Sequence, residues 1–239
     1  MDMNNGKIIP ALIVAGGLAL GGFFPGYYYC KTHADTRSVT VKGLAEKDVI
    51  ADVGIWNIQF TVSGNNLSEI QKQIEKQAKE ITAFLLQQGF KDNEIHIGRI
   101  ETNDLLANPY RDNNAVETAR FILTQTISVR SAQVEQISLA MSLSNALISK
   151  GIIFSNQSAS YFFTKLNEVK PEMLKLATEN AKEAALEFAR NSGSRVGKIR
   201  NANQGVFSIQ SRDDPNAYET TQINKKVRVV STVEYALED

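Results

Sequence analysis

The chain has 239 residues, 43% hydrophobic and 22% charged, with 26 Lys plus Arg against 26 Asp plus Glu. That length allows one large domain or two small ones, and the composition excludes long disorder and a polytopic membrane protein. Balanced charge removes the broad electrostatic drive of a protein that wraps nucleic acid, so no nucleic-acid partner is expected, and His33, His96 and Cys30 alone leave no Cys/His zinc site, iron–sulfur cluster or internal disulfide.

Ile8 to Phe24 is a run of 17 residues without a charge, preceded by Lys7. At about 1.5 Å per residue it reaches the lower limit for crossing a hydrocarbon core roughly 30 Å thick. Its apolar surface comes from Ile8, Leu12, Val14, Leu18, Leu20 and Phe24, and Tyr27 and Tyr28 follow where an interfacial aromatic anchor would sit. The reading taken is a retained signal anchor. A cleaved signal peptide with Thr32-His33-Ala34 as its site, or a buried helix, are the alternatives. Cys30 follows Tyr27-Tyr28-Tyr29 rather than Leu and small residues, which argues against lipidation. Gly17 and Gly21 form one small-xxx-small pair through which two such helices can approach. Flanking charge does not set the orientation, because Lys7 lies on one side and Lys31 and Arg37 on the other. The chain therefore divides into an anchor over 1–30, a linker over 31–37 and a folded region over 38–239.

Ser38 to Leu44 and Val49 to Val62 read as strands, with Gly43 and Glu46-Lys47-Asp48 marking a turn. Asn66 begins a helix, with Glu69 in capping-box position and a stripe of Leu67, Ile70, Ile74, Ala78, Ile81 and Leu85 that stops at Gly89. A strand from Glu94 to Leu105, a polar loop around Pro109 and Tyr110, and a returning strand from Ala119 to Arg130 come next. A second helix is predicted from Ala132 to Lys150 on Val134, Ile137, Met141 and Leu147, with Gly151 after it. Ile152 to Thr164 reads as a strand. Pro171 to Asn191 reads as a third helix with the stripe Met173, Ala177, Ala181, Ala184 and Phe188, whose alanines allow close packing on a sheet. Val196 to Ser211 and Gln222 to Leu237 then flank a loop through Asp213, Pro215 and Tyr218. The plan strand–helix–strand–hairpin loop–strand occurs twice, with Pro109 20 residues after Gly89 and Pro215 22 residues after Gly193. The fold class expected is α+β: two related lobes of antiparallel sheet with helices packed on one face, preceded by a transmembrane helix.

The chemistry is sparse. His96 lies in Glu94-Ile95-His96-Ile97, where alternation places it opposite the isoleucines as a solvated strand residue. No Gly-x-Ser-x-Gly turn, phosphate loop or dinucleotide fingerprint occurs. Glu101 and Asp104 are three apart on one strand and point to opposite faces, while Asp213 and Asp214 fit a turn beside Pro215. Arg195, Lys198 and Arg200 with Lys225, Lys226 and Arg228 read as solvated sheet positions balanced by acids. Trp56 is a core or lobe-interface aromatic, with a ligand platform as the alternative. No catalytic, cofactor-binding or metal-binding residue is assigned, and no cofactor is expected.

Val39-Thr40-Val41-Lys42-Gly43 followed by Ala51-Asp52-Val53-Gly54-Ile55-Trp56 resembles the opening of the SIMPL-domain proteins. The Gly89-Phe90 turn before Glu94-Ile95 is similar too. So is the late helix carrying Asn180-Ala181 and Ala184-Ala185 into Gly193 and Arg195-Val196-Gly197-Lys198-Ile199. The resemblance covers about Ser38 to Glu238; Ala51-Asp52 stands where Pro-Asp is frequent in the family. It implies a bacterial envelope protein facing the periplasm, two related α+β lobes and, for some members, large homo-oligomeric rings with links to stress tolerance. It supplies no catalytic residues. With the anchor, it leads to the expectation of a non-enzymatic, single-pass inner-membrane protein whose periplasmic domain assembles with itself. Exposed strand edges and the loop tips at 107–115 and 211–219, which carry Tyr110 and Tyr218, are the expected contact surfaces. The alternative is a periplasmic module that binds a small ligand or peptide near Trp56.

Overall fold

The computed structural model describes residues 15–17, 21, 37–107, 119–156, 158–214 and 216–239. The predicted anchor residues Ile8, Leu12, Val14, Leu18, Leu20, Phe24, Tyr27 and Tyr28 lie outside the described residues, as do Cys30, His33, Pro109, Tyr110 and Pro215. Among the described residues no helix is long and apolar enough to cross a membrane.

The folded region is a mixed α+β structure with two antiparallel sheets. In chain order the main elements are β1 (Ser38–Ile50), β2 (Val53–Gly64), α1 (Leu67–Gln87), β3 (Ile95–Asp104) and β4 (Phe121–Ser131). Then come α2 (Val134–Leu143), α3 (Asn145–Ser149), β5 (Phe154–Asn156), β6 (Ser160–Phe162) and α4 (Leu166–Asn191), followed by β7 (Arg195–Gln204), β8 (Ser208–Ser211) and β9 (Asn224–Glu238). The chain forms two compact units. Among the described residues of the folded region, one comprises residues 37–45, 172–207 and 229–239, and the other the described residues within 46–171 and 208–228. The division falls within β1, α4 and β9, so neither unit is a continuous half of the sequence.

The larger unit holds the sheet ordered β3-β4-β2-β5, with β6 also paired to β2. Alternation in β2 buries Trp56, Ile58, Phe60 and Val62, and alternation in β4 buries Leu123, Gln125, Ile127 and Val129. The apolar members of these rows share one core with Ile70, Ile74, Ile81, Phe84 and Leu85 of α1 and Ile137 of α2. Each large side chain fully removed from water there contributes about 2 kcal/mol. Asn66 caps α1 as expected, but not through the reciprocal backbone bonds of a capping box with Glu69. The Asn66 side chain accepts from the Ser68 backbone N–H at 3.1 Å and donates through Nδ2 to Glu69 Oε1 at 3.1 Å. Gly89 then closes the helix at φ 92°, a left-handed conformation that costs glycine nothing.

In the smaller unit the strand order is β1-β9-β7. The Leu237 N–H donates to the Arg37 carbonyl; within the larger unit, the Ala51 N–H just past β1 donates to the Ile223 carbonyl. Val39, Ala181, Ala185, Val233 and Tyr235 form the core beneath α4. Gly43 sets how close the helix lies: a Cβ there would stand 1.8 Å from the Ala177 carbonyl oxygen and 2.5 Å from the Ala181 nitrogen. Helix backbone therefore rests directly on strand backbone, and Asn180 Nδ2 donates to the Leu44 carbonyl at 2.7 Å alongside.

Several expectations need correcting. Glu46-Lys47-Asp48 is not a turn: β1 continues through it, because Glu46 pairs with Lys226 at 3.2 Å on the neighbouring strand, and the break falls at Ala51-Asp52. The predicted single helix from Ala132 to Lys150 is two helices separated at Ser144, whose hydroxyl donates to the Met141 carbonyl at 2.6 Å. The predicted strand from Ile152 to Thr164 is two short strands, both on β2. Helix α4 starts five residues early and runs through Pro171, its sixth residue, which has no N–H to give the Asn167 carbonyl. Its buried stripe is Met173, Ala177, Ala181, Ala185 and Ala189, one residue off the predicted Ala184 and Phe188, which are exposed. The strand from Val196 to Ser211 divides into β7 and β8.

Candidate functional site

The residues singled out for chemistry do not come together. His96 is exposed on β3. Asp104 forms an ion pair with Arg120 at 2.8 Å, and that guanidinium holds its carboxyl below the usual range. Glu101 faces Arg99 at 3.7 Å. Asp213 is bonded by Arg212 at 2.7 Å and by Asn224 Nδ2 at 3.1 Å, which lowers its pKa. Asp214 Oδ1 accepts from the Asn216 N–H at 2.9 Å, the local bond of a turn-forming aspartate. Among the described residues no group of three His, Cys, Asp or Glu is placed to hold a metal ion.

The six basic residues of the C-terminal strands divide by environment. Arg195 bonds the Asp239 carbonyl from both Nε and Nη2, and Lys226 and Arg228 both face Glu46. Lys225, expected at a solvated sheet position, is instead wholly buried, because its Nζ finds two oxygens at 2.6 Å, Glu219 Oε1 and the Glu219 carbonyl. A buried ammonium needs such partners. Together they fasten the short 3-10 turn Glu219–Thr221 to the start of β9.

Trp56 lies in the core with 0% exposure, opposite Val129 of β4, which is the core reading of that residue and removes it from any surface a ligand can reach. Tyr218 is 84% exposed.

Two surfaces remain. The first is apolar: Leu139 and Leu143, one turn apart on α2, are 58% and 54% exposed, and Ile148 and Ile153 just beyond are 60% and 77% exposed. Leu139 and Leu143 point away from the row formed by Val134, Ile137 and Ala140, so α2 has apolar side chains both toward the core and toward solvent. The second is a cleft of about 470 Å³ in the larger unit. It has Ser138 on α2, Ser158 and Tyr161 around β6, and Thr221, Gln222 and Asn224 leading into β9. Tyr161 is buried, which pushes its phenol pKa up against the opposing hydrogen bond with Ser138. Thr221 donates its hydroxyl to the Tyr218 carbonyl at 2.8 Å, while Gln222 Nε2 makes only a 3.5 Å contact with Thr221 Oγ1. Sequence reading missed this cleft and Lys225, since no motif links neutral residues so far apart.

A family model described as "SIMPL: Protein of unknown function (DUF541)" matches residues 39–235. No curated protein matches the sequence.

Proposed function

The chain belongs to the SIMPL family, and from that premise we propose a non-enzymatic scaffold that assembles with itself while held to the bacterial inner membrane by its N-terminal segment. In this reading Ile8 to Phe24 crosses the bilayer once as a retained anchor, and the α+β region, built as two related lobes with helices on one face, stands in the periplasm. The observation that supports self-association is the exposure of four large apolar side chains, Leu139, Leu143, Ile148 and Ile153, within residues 139–153. Apolar side chains clustered on one stretch of surface are the mark of a contact site. Equal numbers of acidic and basic residues leave little net repulsion between copies.

Light scattering on the full chain, extracted gently in detergent, tests the reading, with intact mass reporting whether the N-terminus is retained. A large, uncleaved assembly is expected. The double substitution Leu139→Lys with Leu143→Lys should reduce it to smaller species, since an unpaired ammonium at a contact opposes burial. A monomer at micromolar concentration for the unsubstituted chain would sink the proposal.

A further inference from the structure

We propose that the cleft bounded by α2, β6 and the segment entering β9 binds an uncharged, polyhydroxylated ligand of the saccharide class, a function separate from self-association.

Its lining determines the ligand class. Ser138, Ser158, Tyr161, Thr221, Gln222 and Asn224 are all polar, and none carries a formal charge at neutral pH. Each has a hydroxyl or carboxamide, which can both donate and accept hydrogen bonds. That matches a ligand hydroxyl, which also does both. An anion would find no cation in this wall, and a cation no carboxylate. The charges beside the wall are already engaged: Lys225 and Glu219 are bonded to one another at 2.6 Å, and Asp213 accepts from Asn224 Nδ2 at 3.1 Å and from Arg212 at 2.7 Å. Met141, Ala159 and Ile223 complete the lining and supply apolar surface for the C–H face of a sugar ring. The volume of about 470 Å³ is in the range of small-molecule sites.

The local bonding leaves the wall able to accept a ligand. At 3.5 Å, Gln222 Nε2 is beyond a normal hydrogen-bond distance from Thr221 Oγ1, so its amide is only weakly held. Thr221 has used its proton on the Tyr218 carbonyl, which leaves Oγ1 able to act only as an acceptor. The wall itself is firm beneath these groups. Lys225 pins Glu219 from below, and the Ala51 N–H bonds the Ile223 carbonyl at 2.9 Å. A wall fixed in advance reduces the ordering cost of binding.

The test is calorimetric titration of the full chain, in a detergent without a sugar headgroup, with maltose, cellobiose and N,N′-diacetylchitobiose. Glucuronate and glucosamine serve as charged comparators. Saturable binding of at least one disaccharide is expected, tighter than either charged sugar. Gln222→Ala and the occluding Thr221→Trp should each weaken it at least about tenfold. Both positions are outside the core, and an unchanged thermal midpoint verifies that the variants fold. Leu139→Ser, on the opposite side of the α2 surface from the core, should bind like the parent chain. No saturation by any of the three disaccharides up to about 10 mM, or binding that both cleft variants leave intact, would overturn the proposal.

Discussion

Asp52 sits at the break between β1 and β2 and reaches far along the chain. Its Oδ1 accepts from the Thr164 backbone N–H at 2.7 Å and its Oδ2 from the Thr164 hydroxyl at 2.8 Å. Partial burial works to raise its pKa, but the two Thr164 bonds, aided by Lys165, outweigh it and hold the carboxyl below its ordinary value of 3.8. The folded form therefore stays ionised at pH values where the unfolded chain has begun to take up a proton. The resulting stabilisation is present above the ordinary value and is lost as pH falls through the folded one. Urea midpoints measured at neutral pH and at about pH 3 should fall further for the parent chain than for Asp52→Asn. Equal losses for both proteins would show that Asp52 contributes nothing to the acid limb. Lys225 shows the opposite arrangement, a cation enclosed completely and satisfied by one residue, Glu219.

At the scale of elements, the seat of α4 on β1 is the most constrained contact. A methyl at position 43 would stand 1.8 Å from the Ala177 carbonyl oxygen, and both sides of that contact are backbone. Gly43→Ala should therefore destabilise the protein by about 3 kcal/mol or more, read as a lower thermal midpoint. A midpoint within a degree or so of the parent would mean that the helix moves away at little cost. The same contact shows what could be read in advance. The alanines of this helix announced close packing, but in Ala184-Ala185 small side chains give almost no signal for which residue faces inward. Phe188 drew the predicted stripe toward itself and is 53% exposed. By contrast the extent of α1 is legible, since its Asn66 cap, aliphatic stripe from Ile70 to Leu85 and terminal Gly89 agree locally, while Leu67, also placed in the stripe, is exposed. The Glu46-Lys47-Asp48 cluster misled because its partners, Lys226 and Arg228, lie at the far end of the sequence. The cleft is hidden for a related reason: Ser138, Tyr161 and Gln222 have no shared spacing or distinctive chemistry until three segments bring them together.

For the molecule as a whole, 26 basic against 26 acidic residues mean that copies neither repel nor attract strongly at long range. Assembly through apolar side chains should then survive a rise in salt from low concentration to about 0.5 M, as followed by light scattering. Dissociation over that range would assign the contact to ion pairs instead. The strand order carries a further consequence. In the smaller sheet β1 and β7 each pair with β9 and not with one another, whereas the strands of the larger sheet have all appeared by residue 162. During synthesis the larger sheet can close early. β1, made first among the strands, has no neighbour in its sheet until the ribosome has passed residue 224. The nascent chain thus carries β1 without a partner for most of its elongation, and β9, arriving late between two waiting strands, gives each of them its neighbour and completes the order of the sheet.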